Sequence, residues 1–355
     1  MASFVSIGRR RWHIMAALAM TAMFVGSADA TVARAEARSD DDRLLLSLPV
    51  ACQVGRDCFI QNYVDTDAGA GARDHRCGGA TYDGHTGVDF RLASTRDIAR
   101  RVGVLAAADG IVKGLRDGMA DKLLTKQEFG SVAKRECGNG VVLDHGNGWE
   151  TQYCHLKRGS VRVKRGDRVR RGQRLGAIGT SGLSQFAHLE FAVRRNGTAI
   201  DPFTMQKLGA AAVCQRSDQA VVGLWRVPVA EGLRYRQSVI IEAGFVGNRQ
   251  ATDNFEDGSL RQVAERNAPV LLFFGRVMNL AAGDRVRVEV SGPDGFAASS
   301  QSRQFEKPKA TWSAFAGKRL TAARRRWPSG TYTGRVLVLR GDHIVQQRRD
   351  VLALP

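Results

Sequence analysis

The segment Gly84-His85-Thr86-Gly87-Val88-Asp89-Phe90 sets an imidazole and a carboxylate four residues apart in a Gly-punctuated turn. Both groups are ligands for first-row metals, and the pair suits Zn²⁺. Two further segments follow in order on strand-like runs: Tyr153-Cys154-His155-Leu156 and Ala187-His188-Leu189-Glu190-Phe191. Side chains alternate along a strand, so His188 and Glu190 share one face. Leu189 and Phe191 then face the other side, where a core belongs. The same rule groups Tyr153 with His155 and turns Cys154 away from them.

A metal site built on such strands takes His85, Asp89 and Glu190 as ligands and leaves a fourth position for water, as catalytic zinc requires. His155 and His188 are then placed to handle protons. Tyr153 is either a core tyrosine or an oxyanion donor. His75 and His145 read as turn residues. Cys154 reads as structural and not as a nucleophile.

The chain of 355 residues is long enough for two cores. Residues 49–213 are Gly-rich with short Val/Ile runs at strand spacing, over 102–112, 140–143, 149–156 and 189–193. Asp144-His145-Gly146-Asn147-Gly148 is a hairpin turn. Turns at 165–167 and 171–173 bracket Val169, and a charged insertion covers 117–136. Residues 215–355 differ in character. Val286, Val288 and Val290 alternate with Arg285, Arg287 and Glu289, the pattern of a half-buried strand. Runs at 335–339 and 344–354 are two more strands, and the spacing predicts an immunoglobulin-like β-sandwich. It carries no catalytic constellation; His343 sits alone at a turn.

Residues 1–30 have the anatomy of a cleavable signal peptide: Arg9 to Arg11, an apolar run over 14–26, and Ala28-Asp29-Ala30 as the cleavage site. Residues 31–48 read as a linker. Export to a periplasmic or secreted location follows, with no membrane span in the mature chain. Six cysteines lie between Cys52 and Cys214, an even number that argues for disulfides in an oxidising compartment, with the pairing open. The net charge of +18 favours anionic partners. The basic residues are scattered without interleaved aromatics, which argues against nucleic acid.

The order of these motifs resembles the lysostaphin-type, or LytM-type, zinc endopeptidases over residues from about 50 to 205. The likeness rests on His-x-Gly-x-Asp at 85–89, the hairpin at 141–153 and Tyr-x-His-Leu at 153–156. Gly-rich turns at 165–182, Arg194-Arg195-Asn196-Gly197 and Asp201-Pro202 complete it. It implies a mostly β chain, with an antiparallel β barrel-sandwich peptidase domain ahead of the sandwich. It also implies Zn²⁺ as cofactor and the peptide cross-links of bacterial peptidoglycan as substrate. One position departs from the pattern. The family ends on His-x-His, whose second His binds zinc, whereas here the stretch is His188-Leu189-Glu190. Two anions on one metal would make its bound water less acidic. The alternative is a degenerate, non-catalytic domain that binds peptidoglycan or regulates other cell-wall hydrolases. Biotinyl and lipoyl carrier barrels also have doubled Gly turns, but the exposed Lys they need at a hairpin tip is not evident.

Overall fold

In the computed structural model, described over residues 43–209, 222–248, 255–257, 265–321 and 325–355, the chain is mostly β and its paired strands run antiparallel. The N-terminal half contributes β1 (Phe59–Ile60), β2 (Gly87–Arg91), β3 (Gly103–Leu105), β4 (Gly110–Arg116) and β5 (Gly140–Asp144). It continues with β6 (Trp149–Cys154), β7 (Arg168–Val169), β8 (Arg174–Ala177), β9 (His188–Arg195) and β10 (Thr198–Ile200). The main sheet has the order β1-β2-β9-β6-β5-β4-β7, with β10 added to β9. It is open, and its ends do not join into a barrel. The separate pair β3-β8 places Val104 and Leu175 in one core with Phe90, Leu143 and Leu189. The expected run over 102–112 is broken at 106–109, between β3 and β4.

Hairpin β5-β6 forms where the Asn-Gly turn places it, with Gly146, Asn147 and Gly148 all at positive φ. The insertion over 117–136 holds a short 3₁₀ turn at Lys126–Val132, begun by a capping box between Thr125 and Glu128. Leu46, at the end of the expected linker, is fully buried and its N–H donates to Leu224 O at 2.7 Å. The signal-peptide segment, linker residues 31–42 and Cys214 lie outside the described residues.

The C-terminal half contributes β11 (Val239–Val246), β12 (Val270–Leu280), β13 (Asp284–Gly292), β14 (Phe296–Gln301), β15 (Lys309–Arg319), β16 (Gly330–Arg340) and β17 (His343–Leu354). Sheets β11-β12-β15 and β14-β13-β16-β17 enclose a core that includes Phe245, Phe273, Val286, Val288, Tyr332 and Val336. Val286, Val288 and Val290 are buried, as their alternation predicts, and His343 is exposed. The two halves pack together within one unit, Leu44–Pro355. Phe59 meets Val239, Ile241 and Met278 in an apolar cluster, and Asn279 Nδ2 donates to Gln61 O at 2.9 Å. No helix among the described residues is long and apolar enough to cross a membrane.

Disulfides join Cys52 to Cys58 and Cys137 to Cys154, and Cys77 is also disulfide-bonded. The second bridge ties the insertion to the end of β6. It closes a loop with a sequence separation of 17, which corresponds to about 3 kcal/mol of unfolded-state entropy. Replacing Cys137 and Cys154 together by Ser is expected to lower stability by about that amount in urea titrations. An unchanged midpoint would mean that the bridge constrains nothing in the unfolded chain.

Candidate metal centre and catalytic cleft

Strand β2 lies against β9 in a register that sets Asp89 opposite Glu190 and Arg91 opposite His188. Directly opposed residues share a face. One row of the sheet therefore carries Asp89, Arg91, His188 and Glu190, while Val88, Phe90, Leu189 and Phe191 fill the core behind it. Gly87 makes room for this row, since a Cβ there would stand 2.9 Å from Glu190 Cγ. His85 enters from the preceding turn. His155 follows β6 in a left-handed conformation, φ 63°. This costs energy for a residue with a Cβ and is held by its surroundings. His155 N–H donates to Cys137 O at 2.8 Å, and Gly179 N–H donates to His155 O at 3.0 Å.

That twist corrects two sequence expectations. Tyr153 and His155 do not share a face, because the strand ends at Cys154. Tyr153 is a core residue: its hydroxyl accepts the Ala107 N–H at 2.8 Å and stands 3.0 Å from Thr151 Oγ1. Cys154 faces Glu190 across the β6-β9 pair, so its side chain does not turn away from that residue; it is structural because it is bonded to Cys137. His75 is buried among Tyr63, Phe203 and Tyr235 rather than placed at an open turn. His145 is fixed at its turn by Asp109 O and Thr151 Oγ1.

His85, Asp89, His155, His188 and Glu190 all line one cleft of about 500 Å³. Phe129 and Glu136 of the insertion and Ala310 of the C-terminal sandwich also line it. Each of the three imidazoles gives its Nδ1 proton to a main-chain carbonyl at 2.8 Å: His85 to Tyr63, His155 to Ser181 and His188 to Phe186. A carbonyl only accepts, so the tautomer is fixed and each Nε2 is turned towards the carboxylates. His85 Nε2 lies 3.2 Å from Asp89 Oδ1, His188 Nε2 3.8 Å from the same oxygen, and His155 Nε2 3.2 Å from Glu190 Oε2. Asn62 Nδ2 donates to the other Asp89 oxygen at 2.6 Å.

These pairings separate the titrations. Burial opposes charge on His85, but Asp89 outweighs it and pushes His85 up to about 9. Burial also opposes charge on His155, which Glu190 raises above its ordinary value. For His188 burial wins over the pull of Asp89 and lowers it to about 4. Burial works against ionised Asp89 and Glu190, yet His85 holds the first well below the usual carboxylate range and His155 lowers the second.

Imidazole and carboxylate donors with tethered far sides are of the types that bind zinc. The side chains stand in imidazole–carboxylate pairs. No three ligand-type groups among the described residues close around an ion-sized point. Asn62, Phe186 and Arg91 join the site without a sequence signal, because the contacts that recruit them cross between distant segments.

Residues 83–202 match Peptidase family M23. Over 130 residues the chain is 31% identical to an uncharacterized metalloprotease of Haemophilus influenzae, covering 36% of this chain and 22% of that protein. Over 157 residues it is 29% identical to the DD-carboxypeptidase/endopeptidase Mpg of Neisseria meningitidis serogroup B, covering 41% and 30%. The chain thus spans less than a third of the length of these relatives. A zinc containing peptidase from Vibrio cholerae aligns with a TM-score of 0.28 at 22% identity, over 45% of this chain and 38% of that one.

Tyr153→Phe is expected to destabilise the fold by about 1–2 kcal/mol, because it leaves the buried Ala107 N–H without an acceptor. The occupancy and chemistry of the cleft should not change. Thermal melts and zinc content measured on the same samples check both halves.

Proposed function

We propose that the M23 peptidase domain of this protein is a zinc-dependent endopeptidase that cleaves peptide cross-links of bacterial peptidoglycan outside the cytoplasm. The observation that carries this reading is the triple tether, which commits three Nε2 atoms to a cleft already holding two opposed carboxylates. His85, Asp89 and Glu190 hold the ion. Zinc, when bound, supplies Lewis acidity and lowers the pKa of a coordinated water. Disulfides and a strongly basic chain agree with an exported protein acting on an anionic polymer.

His155 and His188 divide the proton work between them. Their rings stand 4.5 Å apart, and their environments push the two titrations in opposite directions. His188 is neutral near pH 7 and its Nε2 accepts a proton. His155, biased by Glu190 towards its protonated form, donates from Nε2 to an oxyanion developing on the scissile carbonyl. Two like groups held at different protonation levels are the usual arrangement for paired acid and base roles.

A second reading has its own observation. Glu190 is engaged by His155 at 3.2 Å, and a carboxylate so held is a weaker ligand than a free imidazole. On that reading the domain binds peptidoglycan or regulates another wall hydrolase without cutting.

Purified protein with added zinc is expected to release cross-link fragments from sacculi, and a chelator to stop the release. His188→Ala should lower kcat about 100-fold or more. Zinc affinity should rise with pH up to about 9, because the ion displaces the proton that His85 otherwise holds. If no divalent metal supports cleavage and Glu190→His alone creates it, the second reading stands.

A further inference from the structure

Arg91 lies on the cleft-facing row of β2, two residues beyond Asp89, and is completely buried. A guanidinium keeps its charge there only with a full set of partners. Its Nε donates to Leu92 O at 2.9 Å, and its Nη1 donates to Gln61 Oε1. Nη2 donates to Glu256 Oε2 at 2.7 Å. Glu256 belongs to the C-terminal half, 165 residues along the chain. Its other oxygen takes Arg276, which also binds Glu242 Oε2 at 3.1 Å and Ala93 O at 2.9 Å. Glu256 is the anion that compensates Arg91.

The guanidinium plane does one thing more. It lies over the Phe186 ring at 4.8 Å, and that ring stands 4.3 Å from His188. Phe186 O is the acceptor that fixes the His188 tautomer. The contact chain from Glu256 through Arg91 and Phe186 to His188 is therefore continuous.

We infer that Glu256 and Arg91 are positioning residues through which the C-terminal sandwich sets the orientation of the His188 imidazole. The inference rests on the peptidase reading for the role of His188, but not for the geometry. Neutralising Glu256 removes the one carboxylate bonded to the buried Arg91 and leaves Arg91 and Arg276 to share Glu242, which drives the Arg91 guanidinium towards water. Phe186 then loses the surface it stacks on, and the His188 tether loses its anchor. A histidine turned out of line still leaves substrate binding in place, so turnover falls while KM holds.

The test uses the full chain with Glu256→Gln, Glu256→Asp and the double variant Arg91→Met/Glu256→Gln, which removes the Arg91 charge together with its partner and leaves Arg276 paired with Glu242, so that the fold survives. NMR of the metal-free proteins at one pH reads the His188 ring signals, with His145 as an internal reference. Glu256→Gln and the double variant are expected to shift the His188 signals and leave those of His145 in place. Glu256→Asp is expected to restore most of the wild-type position. With zinc and a soluble cross-linked muropeptide, kcat should fall about 10- to 100-fold at near-constant KM, the range for lost outer-shell support. Unmoved His188 signals in both folded variants would overturn the inference. So would equal effects of Gln and Asp. If the wild-type protein cleaves nothing, the peptidase reading fails, while the His188 signals still decide this one.

Discussion

The pairing of β2 with β9 decides where each functional side chain stands. Asp89 meets Glu190 and Arg91 meets His188 because the two strands are aligned in that register. Alternation along a strand has a period of two, so a slip by one residue would bury the carboxylates and bring Phe90 and Leu189 to the cleft. The core side of the same strands prevents this. Val88, Phe90, Leu189 and Phe191 are all fully buried, and each is worth about 1.5–3 kcal/mol of apolar transfer. The chemistry on one face is thus held in place by packing on the other.

Main-chain geometry supplies the second constraint. Three imidazoles are aimed by three carbonyls, Tyr63, Ser181 and Phe186, all of which sit in segments between strands. The Ser181 carbonyl is brought to His155 by a close backbone crossing. Gly138 and Gly182 meet there, and a Cβ on Gly182 would stand 2.4 Å from Gly138 N. Both glycines are at positive φ. The Cys137–Cys154 bridge anchors the same crossing next to the left-handed His155. The residues just after the insertion therefore have a local structural task of their own.

Much of this was legible in the sequence because it is local. The Asn-Gly turn of the β5-β6 hairpin, the alternation of β13, and the shared face of His188 and Glu190 follow from short-range rules. What was not legible depends on contacts between distant segments. No rule of spacing ends β6 at Cys154 and turns His155 through a positive φ, so alternation alone pairs Tyr153 with His155 where the structure separates them. For the same reason alternation turns Cys154 away from a face on which the structure sets it opposite Glu190, although its bond to Cys137 makes it structural as expected. Arg91 reads as one more basic residue among 53. Its place beside His188 appears only when β2 meets β9, and its counter-charge arrives from Glu256 in the other half of the chain.

The proposed function requires this register to bring Asp89 and Glu190 to a single ion shared with His85. X-ray absorption spectroscopy on the zinc-loaded protein tests it directly. The expected first shell is dominated by oxygen, with one imidazole, and Glu190→Ala should lose an oxygen scatterer and retain zinc more weakly. A shell containing two or more imidazoles, or an identical spectrum and affinity in that variant, would place His155 or His188 on the metal and contradict it.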